Sequence, residues 1–343
     1  MSRVTYTVHA PRFCHPRFGY GEYVSAGIPA PVSPETPPSR GSTPDTDVTV
    51  SPELFAPVSS GMVLCYQTYG DPDDEPLLLV MGLATQMTFW DPELCSMLAR
   101  RGFFVIRFDN RDVGRSSRAP GRVTRRMLVE AFAGRRTSAP YSLHDLAHDA
   151  FGLLDHLDLG SAHLVGVSMG GMIAQTMVLS RPERLRSLTS IMSTTGRRTV
   201  GWQHPRLLPA MLRPIKPGRA AYADSSVRMW ALIGSPGFPR HEERTRELAA
   251  EAYDRGVSAH GALRQMMAIV TQRDRSRALH RLRMPTLVVH GLADRMVHVS
   301  GGRATAAAIP GAELLLVDGM GHDLPPELYA TLVDAISRTA ARA

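Results

Sequence analysis

The amino-acid sequence predicts an α/β protein: a mostly parallel sheet flanked by helices, with one helical insertion. Three observations carry that prediction. Short, wholly apolar runs stop at glycine or at a polar residue, as strands buried on both faces do. Segments with helical spacing alternate with them, and such alternation builds a parallel sheet covered on both sides. The alternation lapses once, over about 195–284, and then resumes.

The elements follow in order. Residues 1–47 contain "GIPAPVSPETPPSRGSTPDTD", rich in Pro, Ser and Thr and poor in aliphatic side chains. Such a segment buries too little surface to offset its ordering entropy, so a disordered extension is expected, with a partner-binding arm or a misassigned start as the alternatives. A single α/β domain is expected over 48–343. "MVLCYQTYG" (62–70) reads as a strand closed by a turn, and "PLLLVMG" (76–82) as a buried parallel strand. "ELCSMLARRG" (93–102) is an amphipathic helix ended by Gly102, and "FFVIRFDN" (103–110) is the next strand. A helix spans 142–160, where Ser142 and Asp145 make a capping box with Asp in place of Glu. "AHLVGV" (162–167) is a strand, 171–182 a helix and "RSLTSIMST" (186–194) a strand. The insertion follows, with Trp202, Leu207, Leu208, Met211, Leu212, Trp230 and Leu232 as its apolar content and a helix over 241–256. It leaves the carboxyl ends of parallel strands, where ligands bind, and is a candidate lid. "TLVVHG" (286–291) and "ELLLVD" (313–318) are strands, and 326–340 is a closing helix.

The chain has 343 residues, 43% of them hydrophobic, enough for a substantial core. No apolar run reaches membrane-span length and the first residues lack a secretory apolar stretch, so a cytoplasmic protein with no membrane partner is expected. Cys14, Cys65 and Cys95 are odd in number and scattered, which argues against a disulfide framework or a zinc site. The net charge is +7, and Lys216 is the only lysine. The densest basic cluster is Arg122, Arg125, Arg126, Arg135 and Arg136. The remaining bases are spread along the chain, which speaks against a nucleic-acid partner. Nothing in the sequence assigns an oligomeric state.

The chemistry-bearing stretch is "LVGVSMGGMIAQ" (164–175), where Gly166-Val167-Ser168-Met169-Gly170 has the form G-x-S-x-G. The pentapeptide alone is weak. Here it closes a strand and opens a helix, the context the motif requires. A sharp strand-to-helix turn leaves no room for side chains beside the crossing chain, and glycines at 166, 170 and 171 remove them. The Ser168 hydroxyl then projects from the sheet edge as a nucleophile. The alternative is a glycine-rich turn with an incidental serine.

A serine hydroxyl needs a base, and with this motif the chain order is Ser, then an acid, then His. Asp294 lies just beyond the strand "TLVVHG", and His322 lies in the loop after "ELLLVD". Both fall at carboxyl ends of strands, on the edge that carries Ser168. His322 is the expected base and Asp294 the residue that fixes its tautomer. His290 reads as structural, His298 lies on the wrong loop, and Asp323 beside His322 points elsewhere. The oxyanion donors are expected at the backbone amides of Met169, directly after the nucleophile, and Leu83, in the loop after "PLLLVMG". An ordinary strand-to-loop turn is the alternative for Leu83. "HDLAH" (144–148) spaces two histidines as zinc proteases do, but Asp145 is short for a general base and no third ligand is evident. No metal and no cofactor are expected.

With these positions in order, the chain resembles the α/β-hydrolases over about 48–340. "LLLVMG", "FDNRDVGRS" (108–116), "GVSMGGMIAQ" and the Asp294 and His322 loops resemble bacterial serine esterases of the aclacinomycin methylesterase type. The resemblance implies cofactor-free hydrolysis of a small-molecule carboxylic ester, with a methyl ester of a secondary metabolite as one candidate. It implies Ser168, Asp294 and His322 as the triad, with Leu83 and Met169 as oxyanion donors. Many α/β-hydrolases have His-Gly where this chain has Met81-Gly82, and the backbone donor does not depend on that His. The resemblance gives Asp109 and Asp112 no catalytic role. Ser168 argues against dehalogenase and epoxide-hydrolase relatives, which use Asp at the elbow. Thioesterase, C–C bond hydrolase and cofactor-free haloperoxidase-like activities share the triad and stay open, as does an inactive small-molecule binder on the same fold.

Overall fold

The computed structural model describes residues 5–8, 47–135, 137–207, 209, 210 and 216–343. Its strands are β1 (Thr5–Val8), β2 (Leu54–Pro57), β3 (Val63–Tyr69), β4 (Glu75–Val80), β5 (Phe103–Phe108), β6 (Ala162–Val167), β7 (Leu185–Ile191), β8 (Thr286–Gly291) and β9 (Glu313–Val317). They form one sheet in the order β1-β9-β8-β7-β6-β4-β5-β3-β2. All neighbours are parallel except β3 with β5 and β2 with β3.

Helices cover both faces. On β4, Leu78 and Val80 face α3 (Leu143–His156) and α4 (Met169–Ser180), while Leu77 and Leu79 face α1 (Pro92–Ala99) and α10 (Tyr329–Ala340). A strand sends alternate side chains to opposite faces, so a strand buried on both sides must be apolar throughout. The capping box at α3 is present: Ser142 N–H donates to Asp145 Oδ2 at 2.7 Å.

Four departures from the sequence expectation have local causes. Thr5–Val8, inside the segment expected to be disordered, pairs with β9. Thr5, Tyr6 and Thr7 are exposed and Val8 packs against the core, so the strand is held mainly by the backbone ladder and no apolar pattern announces it. The rest of that extension, residues 1–4 and 9–46, lies outside the described residues. Strand β2 is short, carries a proline and sits at the other edge. Helix α2 (Arg125–Phe132) occupies part of the basic cluster; the Thr124 hydroxyl caps it by accepting from Met127 N–H at 3.2 Å. Helix α4 starts at Met169, two residues early, because the turn at Ser168 is a single residue.

The insertion between β7 and β8 holds, among the described residues, α5 (Arg219–Ile233), α6 (Glu242–Gly256), α7 (Ala259–Val270) and α8 (Ser276–Leu279). Of its expected apolar content, Leu208, Met211 and Leu212 lie outside the described residues. It is anchored to the loop after β5 by buried charges. Arg264 of α7 donates to Asp112 from Nη2 at 2.6 Å and from Nε at 2.8 Å. Tyr141 Oη, at 2.7 Å, also donates to Asp112. Arg255 of α6 reaches Asp109 at 2.9 Å, and Asp109 also accepts from the Met87 and Arg115 amides at 2.8 and 3.0 Å. Arg111 in the same loop makes a two-pronged pair with Asp149 of α3 at 2.5 and 2.6 Å. Removing one partner of such a pair strands a buried charge, so Arg264→Ala is expected to cost about 3–5 kcal/mol. At this size that lowers Tm by about 4–8 °C in a thermal melt. Arg264→Lys should recover only part of it, because an ammonium cannot reproduce the fork. A melt unchanged in Arg264→Ala would show that the pair does not hold the insertion.

Candidate active site

The Gly166–Gly170 stretch forms a one-residue turn between β6 and α4. Ser168 sits at φ 56° and ψ −118°, a strained conformation for a residue with a side chain. The neighbours impose it. Ser168 N–H donates to Ile191 O at 2.9 Å, and Ser193 Oγ donates to Ser168 O at 2.8 Å. Only glycine fits at 170, where a Cβ would overlap the Val80 carbonyl. Ser193 comes from the end of the strand expected over 186–194. Its role in bracing the turn was not readable from the sequence, where it is one serine at a strand end.

The three residues that chain order singled out meet here. His322 Nε2 lies 3.0 Å from Ser168 Oγ, and His322 Nδ1 lies 2.8 Å from Asp294 Oδ2. An ionised carboxylate only accepts, so Nδ1 carries the proton and Nε2 is free to accept from the Ser168 hydroxyl. The Asp294 and His322 loops are tied together: Leu292 N–H donates to Val317 O at 2.9 Å and Ala293 N–H to Met320 O at 3.0 Å. Asp294 is itself fixed, its Oδ1 accepting from the Met296 and Val297 amides at 2.8 and 2.9 Å. Burial alone would raise its carboxyl. The His322 charge, with hydrogen bonds from His290 and His322, overrides that and holds it well below the ordinary carboxylate range.

The competing residues have other partners. His290 Nε2 lies 2.8 Å from Val297 O and 3.5 Å from Asp294, so it packs behind the acid rather than facing Ser168. His298 stacks on Trp202, ring centroids 4.3 Å apart. Asp323 turns from the imidazole to accept from Ser235 Oγ, in the insertion. Burial pushes the Asp323 carboxyl above its ordinary value, against the hydrogen bonds from Ser235. Cys65 and Cys95 are buried and unbridged, and burial pushes both thiols up to about 12, so neither supplies a thiolate. In "HDLAH", His148 Nε2 lies 3.3 Å from Ser59 Oγ and Asp145 serves the α3 cap.

Ser168 and His322 open into a cavity of about 660 Å³. Its apolar wall includes Met81, Phe89, Met192, Trp230, Met296 and Tyr329. Phe89 and Trp230 stack with centroids 5.9 Å apart, so one wall is an aromatic plate. Leu83 lies on the cavity beside Ser168, and Met169 opens α4, where the first amides of a helix have no carbonyl behind them to meet. Of the insertion residues expected to be apolar wall, Trp230 and Leu232 line the cavity, whereas Leu207 is buried and Trp202 stacks on His298.

Residues 75–327 match the alpha/beta hydrolase fold family. The chain is 32% identical over 288 residues to a rhodomycin D methylesterase of Streptomyces peucetius, covering 78% of this chain and 91% of that protein. It is 25% identical over 297 residues to a putative carbamate hydrolase of a Caulobacter strain, covering 83% of this chain and all of that one. Among solved structures it is similar to the enol-lactonase of Burkholderia xenovorans LB400, with a TM-score of 0.65, 21% identity and coverage of 84% of this chain and 100% of the other. The family match spans most of the sheet and both loops that meet at Ser168, and on that ground the chain belongs to the alpha/beta hydrolase fold family.

Proposed function

We propose that the protein is a serine esterase that cleaves a carboxylic ester of a bulky small molecule through an acyl-enzyme. The observation that carries this reading is the hydrogen-bonded chain Ser168–His322–Asp294 on the wall of a large, partly apolar cavity. His322 Nε2 takes the Ser168 proton as Oγ attacks the ester carbonyl. The tetrahedral oxyanion is received by the Leu83 and Met169 amides. The intermediate collapses as the imidazolium returns the proton to the departing alcohol, leaving Ser168 acylated. Water, deprotonated by His322, then releases the acid. No cofactor or metal enters any step, and the partner is a small molecule.

The likeness to a rhodomycin D methylesterase, over nearly all of that protein, favours a methyl ester with the bulk on the acyl side. The stacked pair Phe89–Trp230 supports a flat or aromatic acyl group. The insertion acts as the lid that carries Trp230. A panel of methyl esters, thioesters and vinylogous 1,5-diketones on purified protein tests the reaction class; turnover of a ketone or thioester with no methyl ester cleaved would overturn the ester reading. Trp230→Ala is expected to lower kcat/KM for aromatic methyl esters about tenfold to a hundredfold relative to acetate esters. An unchanged substrate ranking would make the aromatic plate packing only.

A further inference from the structure

The insertion and the loop that carries His322 are joined at every residue around the imidazole. The end of α5 and the residues after it, 233–237, run along 319–323. His322 N–H donates to Ile233 O at 2.7 Å, and Gly237 N–H donates to Gly319 O at 2.9 Å. Between them lies Ser235. Its hydroxyl accepts from Gly321 N–H at 2.8 Å and donates to Asp323 Oδ1. Three consecutive residues, 321 to 323, are therefore all bonded to the insertion. The approach is close enough that a Cβ on Gly321 would overlap the Gly234 and Ile233 carbonyls. The same helix, α5, presents Trp230 and Ile233 to the cavity.

We propose that Ser235 and Asp323 are positioning residues that hold the His322 imidazole within reach of Ser168, so that the insertion is part of the catalytic geometry as well as a wall. This rests on the esterase reading above. Asp294 fixes the ring through Nδ1, and His322 N–H to Ile233 O ties its backbone at one point, which leaves the residues on either side to set the rest of the loop's path. Ser235 holds the loop on both sides of the ring, because it bonds the residue before His322 and the residue after it. Its hydroxyl is buried, as is the Gly321 amide it receives. Without the hydroxyl, the Gly321 amide loses its partner, Asp323 is left with the Ser235 N–H, and the loop shifts to satisfy them. A displacement of about 1 Å at a catalytic base costs on the order of a hundredfold in rate.

The test uses the full chain and the variants Ser235→Ala, Asp323→Ala, their double, and Ser235→Thr. Three quantities are read: kcat and KM on an ester the wild type turns over, the rate at which a fluorophosphonate modifies Ser168, and Tm. For Ser235→Ala, kcat and the modification rate are expected to fall on the order of tenfold to a hundredfold with KM nearly unchanged. Ser235→Thr, which keeps the hydroxyl, should restore most of the loss. Asp323→Ala should fall similarly, and the double variant should be no slower than the worse single, because the pair acts as one unit. Should Ser235→Ala fail to fold, Asp323→Ala reads the same clamp from its other end. Modification of Ser168 at the wild-type rate in a folded variant overturns the clamp, as do additive losses or a loss that threonine does not rescue. Wild type that is not modified at Ser168 overturns the esterase reading itself, so the two failures are distinguishable.

Discussion

Ser168→Ala is expected to lose roughly three to six orders of magnitude in kcat while Tm stays within a few degrees of wild type. The size of the loss follows from the site. In the proposed acyl-enzyme path every step runs through Ser168 Oγ, which lies 3.0 Å from the His322 Nε2 proposed as its base. What survives in the variant is water attack helped by the oxyanion amides and by binding. The fold is expected to gain slightly, if it changes, because alanine leaves the strained φ of 56° in place but removes a polar group from a partly apolar cavity. Intact-protein mass spectrometry after fluorophosphonate treatment should show one adduct, on Ser168. A stable adduct on another serine, with Ser168 unmodified, would move the nucleophile.

Asp294→Asn should lower kcat by up to about four orders of magnitude with the geometry retained. Two effects combine. In the proposed mechanism the carboxylate stabilises the imidazolium that forms at His322 when Ser168 gives up its proton. It also selects the tautomer, by accepting from Nδ1–H at 2.8 Å. An Asn amide can present its NH2 to Nδ1, which puts the ring proton on Nε2 and leaves nothing to accept from Ser168. The charge also bears on stability. The folded state holds this carboxyl below its ordinary value, so its contribution favours folding above the unfolded value of about pH 4 and is lost as the pH falls below that. Asp294→Asn lacks that contribution at every pH, so its stability should fall less steeply than that of wild type as the pH drops below about 4, and its acid unfolding should begin at no lower a pH, monitored by circular dichroism. Near-normal turnover in Asp294→Asn would place the acid elsewhere.

How much of this was legible in the sequence differs from residue to residue. The central strands were, because burial on both faces forces runs such as "PLLLVMG" and "FFVIRFDN" to be apolar without interruption. The elbow was, because one sharp turn demands glycines at fixed offsets from Ser168. The positions of Asp294 and His322 were, because a parallel sheet brings all strand carboxyl ends to one edge, so chain order alone puts the two loops near the serine. Where a group is held mainly by backbone, the sequence says little: β1 pairs with β9 through its ladder, exposes Thr5, Tyr6 and Thr7, and packs Val8 on the core.

What only the tertiary structure decided is the partnership of residues far apart in the chain. Arg255 and Arg264 look like two more bases in a chain full of arginine, and only folding sets them against Asp109 and Asp112. Ser235 is one serine in a turn, and only the return of the chain 86 residues later brings Gly321 within hydrogen-bond reach of it. Periodicity and turn chemistry are local properties and can be read along a chain. The choice of which buried charge or hydroxyl meets which is made by packing, where an unpaired polar group is costly and any partner of the right shape and position will serve.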